Sequence, residues 1–453
     1  MTLFYSNGSP QTDLGERELR AAMVETLQRL EPRWKVLALP PDHTRSNSMS
    51  GPLCRMAYDY LGARLTDVMP TLGTHAPMTA GQLDRMFPGV PKDLFRVHDW
   101  RRDVVTVGAV PAEFVAEATE GIYRKPWPAQ LNRLIWEGGH DLILSIGQIV
   151  PHEVVGMAGY NKNLFVGAGG QEGINESHFI GAAYGMERMM GRADTPLRCI
   201  LNYAQDRFCG HLPLVFVLTV VGPRGDGEEM GTGSEPRCDD SSQLSSCEVP
   251  VPISSTPAVR GLFIGDDAEC FERAAALSLQ VNFTLLDEPP RKIVAYLDPE
   301  EFHSTWLGNK AIYRTRMAIA DGGELVVLAP GVAAFGEDRE IDRLIRKYGY
   351  RTTPEIMRFV EQEEDLPQNL SAAAHLIHGS PENRFTVTYC PGKLTREEIL
   401  SVGYNHADPA PMLQRYDPAV LREGWNELPD GERIYFIGNP ALGLWAYRGR
   451  MRK

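Results

Sequence analysis

The sequence predicts an α/β protein of two domains built on largely parallel sheets. Three observations lead there. Residues 34–40 and 141–147 are short apolar runs that read as buried strands, and each ends in a polar loop. Leu19, Met23, Leu27 and Leu30 recur at helical spacing, so residues 16–30 read as an amphipathic helix ahead of the first strand. The pattern then repeats: 292–298 and 324–330 read as strands flanking a helix over about 309–320, with 384–389 as a further strand. Alternating strands and helices imply parallel pairing, and in such sheets ligands bind beyond the carboxyl ends of the strands. The expected units are an N-terminal domain over 1–265, a second α/β domain over 266–415, and a tail over 416–453. In that tail, 434–438 is expected to be a strand returning to the first domain.

Composition narrows the function classes. At 453 residues with 43% hydrophobic and 23% charged side chains, the chain can bury a large core. The net charge of −13, with no clustered basic run, argues against nucleic acid as the main partner. No apolar run approaches the ~20 residues of a membrane helix, and the N-terminus has no basic-then-apolar leader pattern, so a cytoplasmic protein is expected. The seven cysteines (54, 199, 209, 238, 247, 270, 390) have neither disulfide-framework nor zinc spacing, and reduced thiols are expected, with Cys238 and Cys247 the one pair that oxidation would join. Residues 222–255 lack periodicity and read as a surface excursion.

Four pieces carry chemistry. Residues 41–45 hold Asp42, Thr44 and Arg45; residues 73–79 read Gly-Thr-His-Ala-Pro-Met-Thr around His75. Residues 149–162 carry His152 and Lys162, and 167–178 run from a Gly-rich stretch to His178. Each is weak alone: Asp42 serves equally as a helix cap, Arg45 as an ion-pair partner and Lys162 as a solvated side chain. The signal is joint, with His152, Lys162 and His178 at offsets of 10 and 26 (162−152 and 178−152) behind the His75 motif.

That combination resembles the lactate racemase family, whose members use a nickel-pincer nucleotide. The resemblance is plainest over residues 35–180 and continues faintly through Gly322-Gly323 and 373–377. It implies a racemase or epimerase that inverts the hydroxyl-bearing carbon of a 2-hydroxy acid through a 2-keto acid, with the site in the interdomain cleft. It further implies roles: His178 as the protein ligand to nickel, Lys162 as the lysine that joins the cofactor covalently in some members, and His75 and His152 as the acid–base pair. Arg45 and Lys310 match groups that hold the substrate carboxylate, while Asp42, Thr44, Gly73 and Thr74 would place cofactor and substrate. The cofactor would come from other, biosynthetic proteins.

These residue types suit that chemistry. Abstracting hydride from a 2-hydroxy acid needs an acceptor that amino acids lack. The hydroxyl must lose its proton as the hydride leaves, and a base is needed for each enantiomer; two histidines meet that need near neutral pH. Nickel(II) with soft donors favours a square plane that one imidazole completes. The chain departs from the family in two places. Trp306 and Leu307 stand where a tyrosine–glutamine pair is expected, and Gly159-Tyr160-Asn161 precedes Lys162 where a Gly-Gly pair is expected. The first departure leaves simple aliphatic acids and sugar acids (aldonates) both open as substrates, with Trp306 as a pocket wall. A zinc hydrolase using His75, His152 and His178 as ligands, and a binding protein without turnover, are the competing readings.

Overall fold

The computed structural model describes residues 2–224 and 257–450. Cys238, Cys247 and nearly all of the expected excursion lie outside the described residues. The chain forms two six-stranded sheets. In the first the order is Leu3–Gly8, Ala258–Gly265, Leu214–Gly222, Leu142–Gln148, Val36–Leu39, Leu65–Val68; the last four strands are parallel and the first two antiparallel additions. Every residue of Leu142–Gln148 and Leu214–Gly222 is buried, as expected of strands covered on both faces.

Helix Glu16–Arg29 covers one face through Leu19, Ala22, Met23, Thr26 and Leu27, three of them from the expected stripe, while Leu30 caps the helix end. Its acidic first turn, Glu16 and Glu18, and Arg29 in its last turn complement the helix dipole. Helix Ala268–Asn282 packs on the same sheet, its Phe271 and Ala274 buried in a core shared with Phe216 and Phe263.

The second sheet runs Asn405–His406, Thr386–Pro391, Glu324–Ala329, Lys292–Tyr296, Arg433–Ile437, Gly424–Glu427, parallel except at the last pair. Two expectations need correction. The tail strand Arg433–Ile437 does not return to the first sheet; it pairs with Lys292–Tyr296, where Ile434 and Ile437 are buried at 0% exposure. Only a later strand, Leu444–Tyr447, reaches toward the N-terminal half, where Leu444 packs with Met186 and Met190. The helix expected over 309–320 is only Lys310–Tyr313, because the next residues turn so that Arg314 and Met317 meet the tail backbone. Helix Leu370–His378 crosses to helix Gln171–Tyr184, and Ser371 donates to Asn175 Oδ1 at 2.6 Å. Among the described residues no helix is long and apolar enough to cross a membrane.

Candidate active site

The site grows from loops at the carboxyl ends of the first sheet's parallel strands. After Val36–Leu39 the chain enters a 3₁₀ turn, His43–Ser48, capped by Asp42. Asp42 Oδ1 accepts from the Thr44 amide (3.2 Å) and hydroxyl (2.6 Å), and Oδ2 lies 2.6 Å from His75 Nδ1. Burial opposes the Asp42 charge, but the adjoining His75 ring and the Thr44 hydroxyl hold the carboxyl well below its ordinary range. A carboxylate only accepts, so His75 carries its proton on Nδ1 and leaves Nε2 with a lone pair. Gly73 sits at φ +57° in the loop leading to His75, and its N–H donates to Gly167 O at 2.8 Å, tying that loop to the one after Lys162.

His152 stands on the hairpin Pro151–His152/Gly156–Met157 and is 5% exposed. The Val154 N–H donates to its Nδ1 at 3.1 Å, which places the ring proton on Nε2. Burial, reinforced by Lys162 and Arg45 against the opposing Glu153, keeps the ring neutral. The two histidines therefore present opposite tautomers: His75 offers an acceptor, His152 a donor.

The chain approaches Lys162 through two left-handed residues, Gly159 (φ +72°) and Tyr160 (φ +56°). A non-glycine residue there costs about 1–2 kcal/mol, which ring burial offsets: Tyr160 stacks on Phe271 at 5.1 Å and meets Phe216 at 4.4 Å. Buried Arg198 donates to Asn161 Oδ1 and, at 2.7 Å, to Met157 O, fixing the turn. A π-helical turn, Asn163–Gly167, follows. Its Asn163 donates to Leu39 O (3.0 Å) and Ser145 Oγ (3.1 Å), anchoring Lys162 to two neighbouring strands.

His178 lies on helix Gln171–Tyr184, its Nδ1–H donating to Ile174 O one turn earlier at 2.7 Å. That bond orients the ring and leaves Nε2 free as a donor to a metal. The Gly-rich stretch before it is packed rather than open: a Cβ at Gly169 would lie 1.9 Å from Phe165 O.

One cavity gathers Asp42, Thr44, Arg45, Gly73, Thr74, His75, His152, Lys162, His178, Trp306 and Lys310, every position singled out in the sequence. It also holds residues that spacing did not flag: Glu153, Tyr313, Ser371, His375 and His378. His375 and His378, three residues apart on helix Leu370–His378, are buried, and burial lowers both rings to about 3. Their i, i+3 spacing was the available signal, but nothing local said which face would be covered. His43 is not among the lining residues. Among the described residues no three His, Cys, Asp or Glu side chains are grouped to hold a metal ion, which leaves the zinc reading without its ligand set.

Arg45, Lys162 and Lys310 converge on this cavity, and none is hydrogen-bonded or ion-paired to a protein anion among the described residues. Burial, then the Arg45 charge, lowers each lysine to about 8. Three cations held in no direct ion pair fit a ligand carrying carboxylate or phosphate. Affinity for a small dianion such as oxalate is expected to fall about tenfold per lysine as pH rises through about 8 and the ammonium charges are lost, since a charged hydrogen bond contributes ~1.5–3 kcal/mol. Calorimetric titration from pH 6.5 to 9.5 reads this, and a flat profile would leave Arg45 as the only anion-binding group.

No family model matches the chain, and no curated protein matches it. Solved structures do. A Thermotoga maritima protein determined as a structural-genomics target aligns with TM-score 0.78 at 22% identity, covering 98% of this chain and 100% of that one. The lactate racemase apoprotein of Thermoanaerobacterium thermosaccharolyticum aligns with TM-score 0.65 at 15% identity, covering 96% and 93%. At these identities the likeness is one of fold: the chain shares its mixed α/β architecture, nearly end to end, with the lactate racemase apoprotein.

Proposed function

We propose that this chain is a racemase or epimerase of 2-hydroxy acids that works with a nickel-pincer nucleotide. One observation carries the reading: His178, the His75–Asp42 pair and His152 open onto the same cavity as three unpaired cations. The residues present suit the cofactor. His178 offers one oriented imidazole nitrogen, all the protein need supply to a metal whose other donors belong to the nucleotide. Lys162, lowered to about 8, is neutral in a sizeable fraction of molecules near physiological pH, the state in which an amine forms a covalent bond. Bound there, the cofactor supplies the hydride acceptor that side chains lack.

The protein's own work is to bind, orient and move one proton. Arg45 grips the substrate carboxylate as a fork, with Lys310 as a second charge. His75 Nε2 takes the hydroxyl proton, and the imidazolium so formed faces ionised Asp42. His152 Nε2–H donates to the same oxygen in the complementary orientation. For the opposite enantiomer the roles exchange and His152 becomes the acceptor.

Protein produced with the cofactor-making enzymes is expected to carry about one nickel per chain, with a mass increment that disappears in Lys162→Ala. Nickel without an increment would mean a non-covalently held cofactor. Zinc alone, with no increment and no visible absorbance, would overturn the reading.

A further inference from the structure

We propose that the cavity selects a 2-hydroxy acid bearing further hydroxyl groups, of the aldonate class, and that Glu153 and His378 read a hydroxyl beyond the reacting carbon. The inference rests on the reading above and names its substrate class.

Glu153 Oε2 and His378 Nε2 are both buried, both belong to residues lining the cavity, and neither has a hydrogen-bond partner. Buried polar atoms are rarely left so, and two of them on residues that line one cavity point to a polar ligand. Burial opposes the Glu153 charge, but His152, Arg314 and His378 hold it ionised, so it can only accept a hydrogen bond. The His378 ring is neutral and has one donor and one acceptor nitrogen. A hydroxyl gives and takes a hydrogen bond, so it satisfies the carboxylate and either tautomer of the ring.

Two other classes fit worse. The methyl of lactate would leave both atoms dry and unpaired. The second carboxylate of a malate-type acid would meet the Glu153 charge in a buried site. Another part of the lining suits a sugar chain. Trp306 packs on His375 with ring centroids 4.6 Å apart, and His375 Nε2 is held by Tyr350 Oη at 2.9 Å. The indole is thus fixed as a flat apolar surface against which C–H groups of an extended polyol can lie.

The test compares D-gluconate, L-lactate and L-malate on cofactor-loaded protein, following the C2 epimers by NMR. A site built around a hydroxyl rejects the analogue lacking it by ~10⁴, so kcat/KM for gluconate is expected to exceed that for lactate by at least ~10³. Glu153→Gln and His378→Phe should each shrink that ratio tenfold or more. A preference for lactate or malate by the unsubstituted protein, which needs no variant to fold, overturns the inference and leaves the proposed function standing. Equal loss on gluconate and lactate in both variants also overturns it, since both residues would then serve the reaction rather than selectivity. Failure of nickel-loaded protein to turn over any of the three overturns this inference together with the proposed function.

Discussion

In cofactor-loaded protein, His75→Ala is expected to lower kcat/KM by about 10²–10⁴, the range associated with a positioned acid–base group, with nickel content and melting temperature unchanged. The expectation follows from the placement of the ring's two nitrogens. Nδ1 is committed to Asp42 at 2.6 Å, so Nε2 is the only nitrogen left to take a proton. Asp42→Asn is a sharper test of the pair. The carboxylate serves Thr44 with Oδ1 and His75 with Oδ2, and an amide has a single acceptor oxygen. Keeping the oxygen on Thr44 turns the amide NH2 to His75 Nδ1, which then accepts and carries the ring proton on Nε2; turning the oxygen to His75 breaks the Thr44 cap, so either way kcat should fall about 10–10²-fold. His152→Ala should instead act unequally on the two enantiomers, because the resting tautomers already differ. The measurement is initial rate in both directions for each variant. If His75→Ala retains more than a tenth of the activity in both, His75 is not the base and the paired-histidine reading fails.

The parallel core strands, their terminal loops and the catalytic candidates were legible because each is local. An apolar run of seven residues, a polar loop after it and a histidine in that loop sit within a short window of sequence. The tautomers of the two histidines were not legible. The tautomer of His75 depends on Asp42, 33 residues away, and that of His152 on a backbone amide whose direction only the hairpin sets. Tyr160 shows a different limit. Glycine is the usual sign of a left-handed turn, yet here an aromatic ring adopts it because Phe216 and Phe271 bury it. The helix expected over 309–320 stops at Tyr313 because Arg314 and Met317 give their carbonyls to a tail more than 120 residues later. The strand Arg433–Ile437 was misplaced because its apolar pattern is the same whichever sheet receives it.

Arg314 is the residue on which those long-range contacts converge, and Arg314→Met is expected to cost about 3–5 kcal/mol of stability. The guanidinium is 0% exposed. It donates to Ala441 O at 3.0 Å, Gly443 O at 2.9 Å and Pro151 O at 2.8 Å. Methionine fills similar volume without a donor, so three buried carbonyls lose their partner, each worth ~1–3 kcal/mol when unsatisfied. Replacing a buried charge by an apolar group is sometimes neutral, but Arg314 also balances ionised Glu153, whose charge would then stand with less compensation. The same change reaches the chemistry. Pro151 immediately precedes His152, and the loss of its anchor frees the hairpin that positions the ring. Arg314→Met should therefore lower the melting temperature by several degrees and reduce kcat more than it raises KM, because the side chains of Arg45 and Lys310, proposed to hold the substrate carboxylate, remain in place. Thermal unfolding and steady-state kinetics on the same preparation read both effects. A variant that melts within a degree of the parent would show that the three carbonyls find other donors. A stability loss with kcat unchanged would show that the hairpin holds His152 without the help of Arg314.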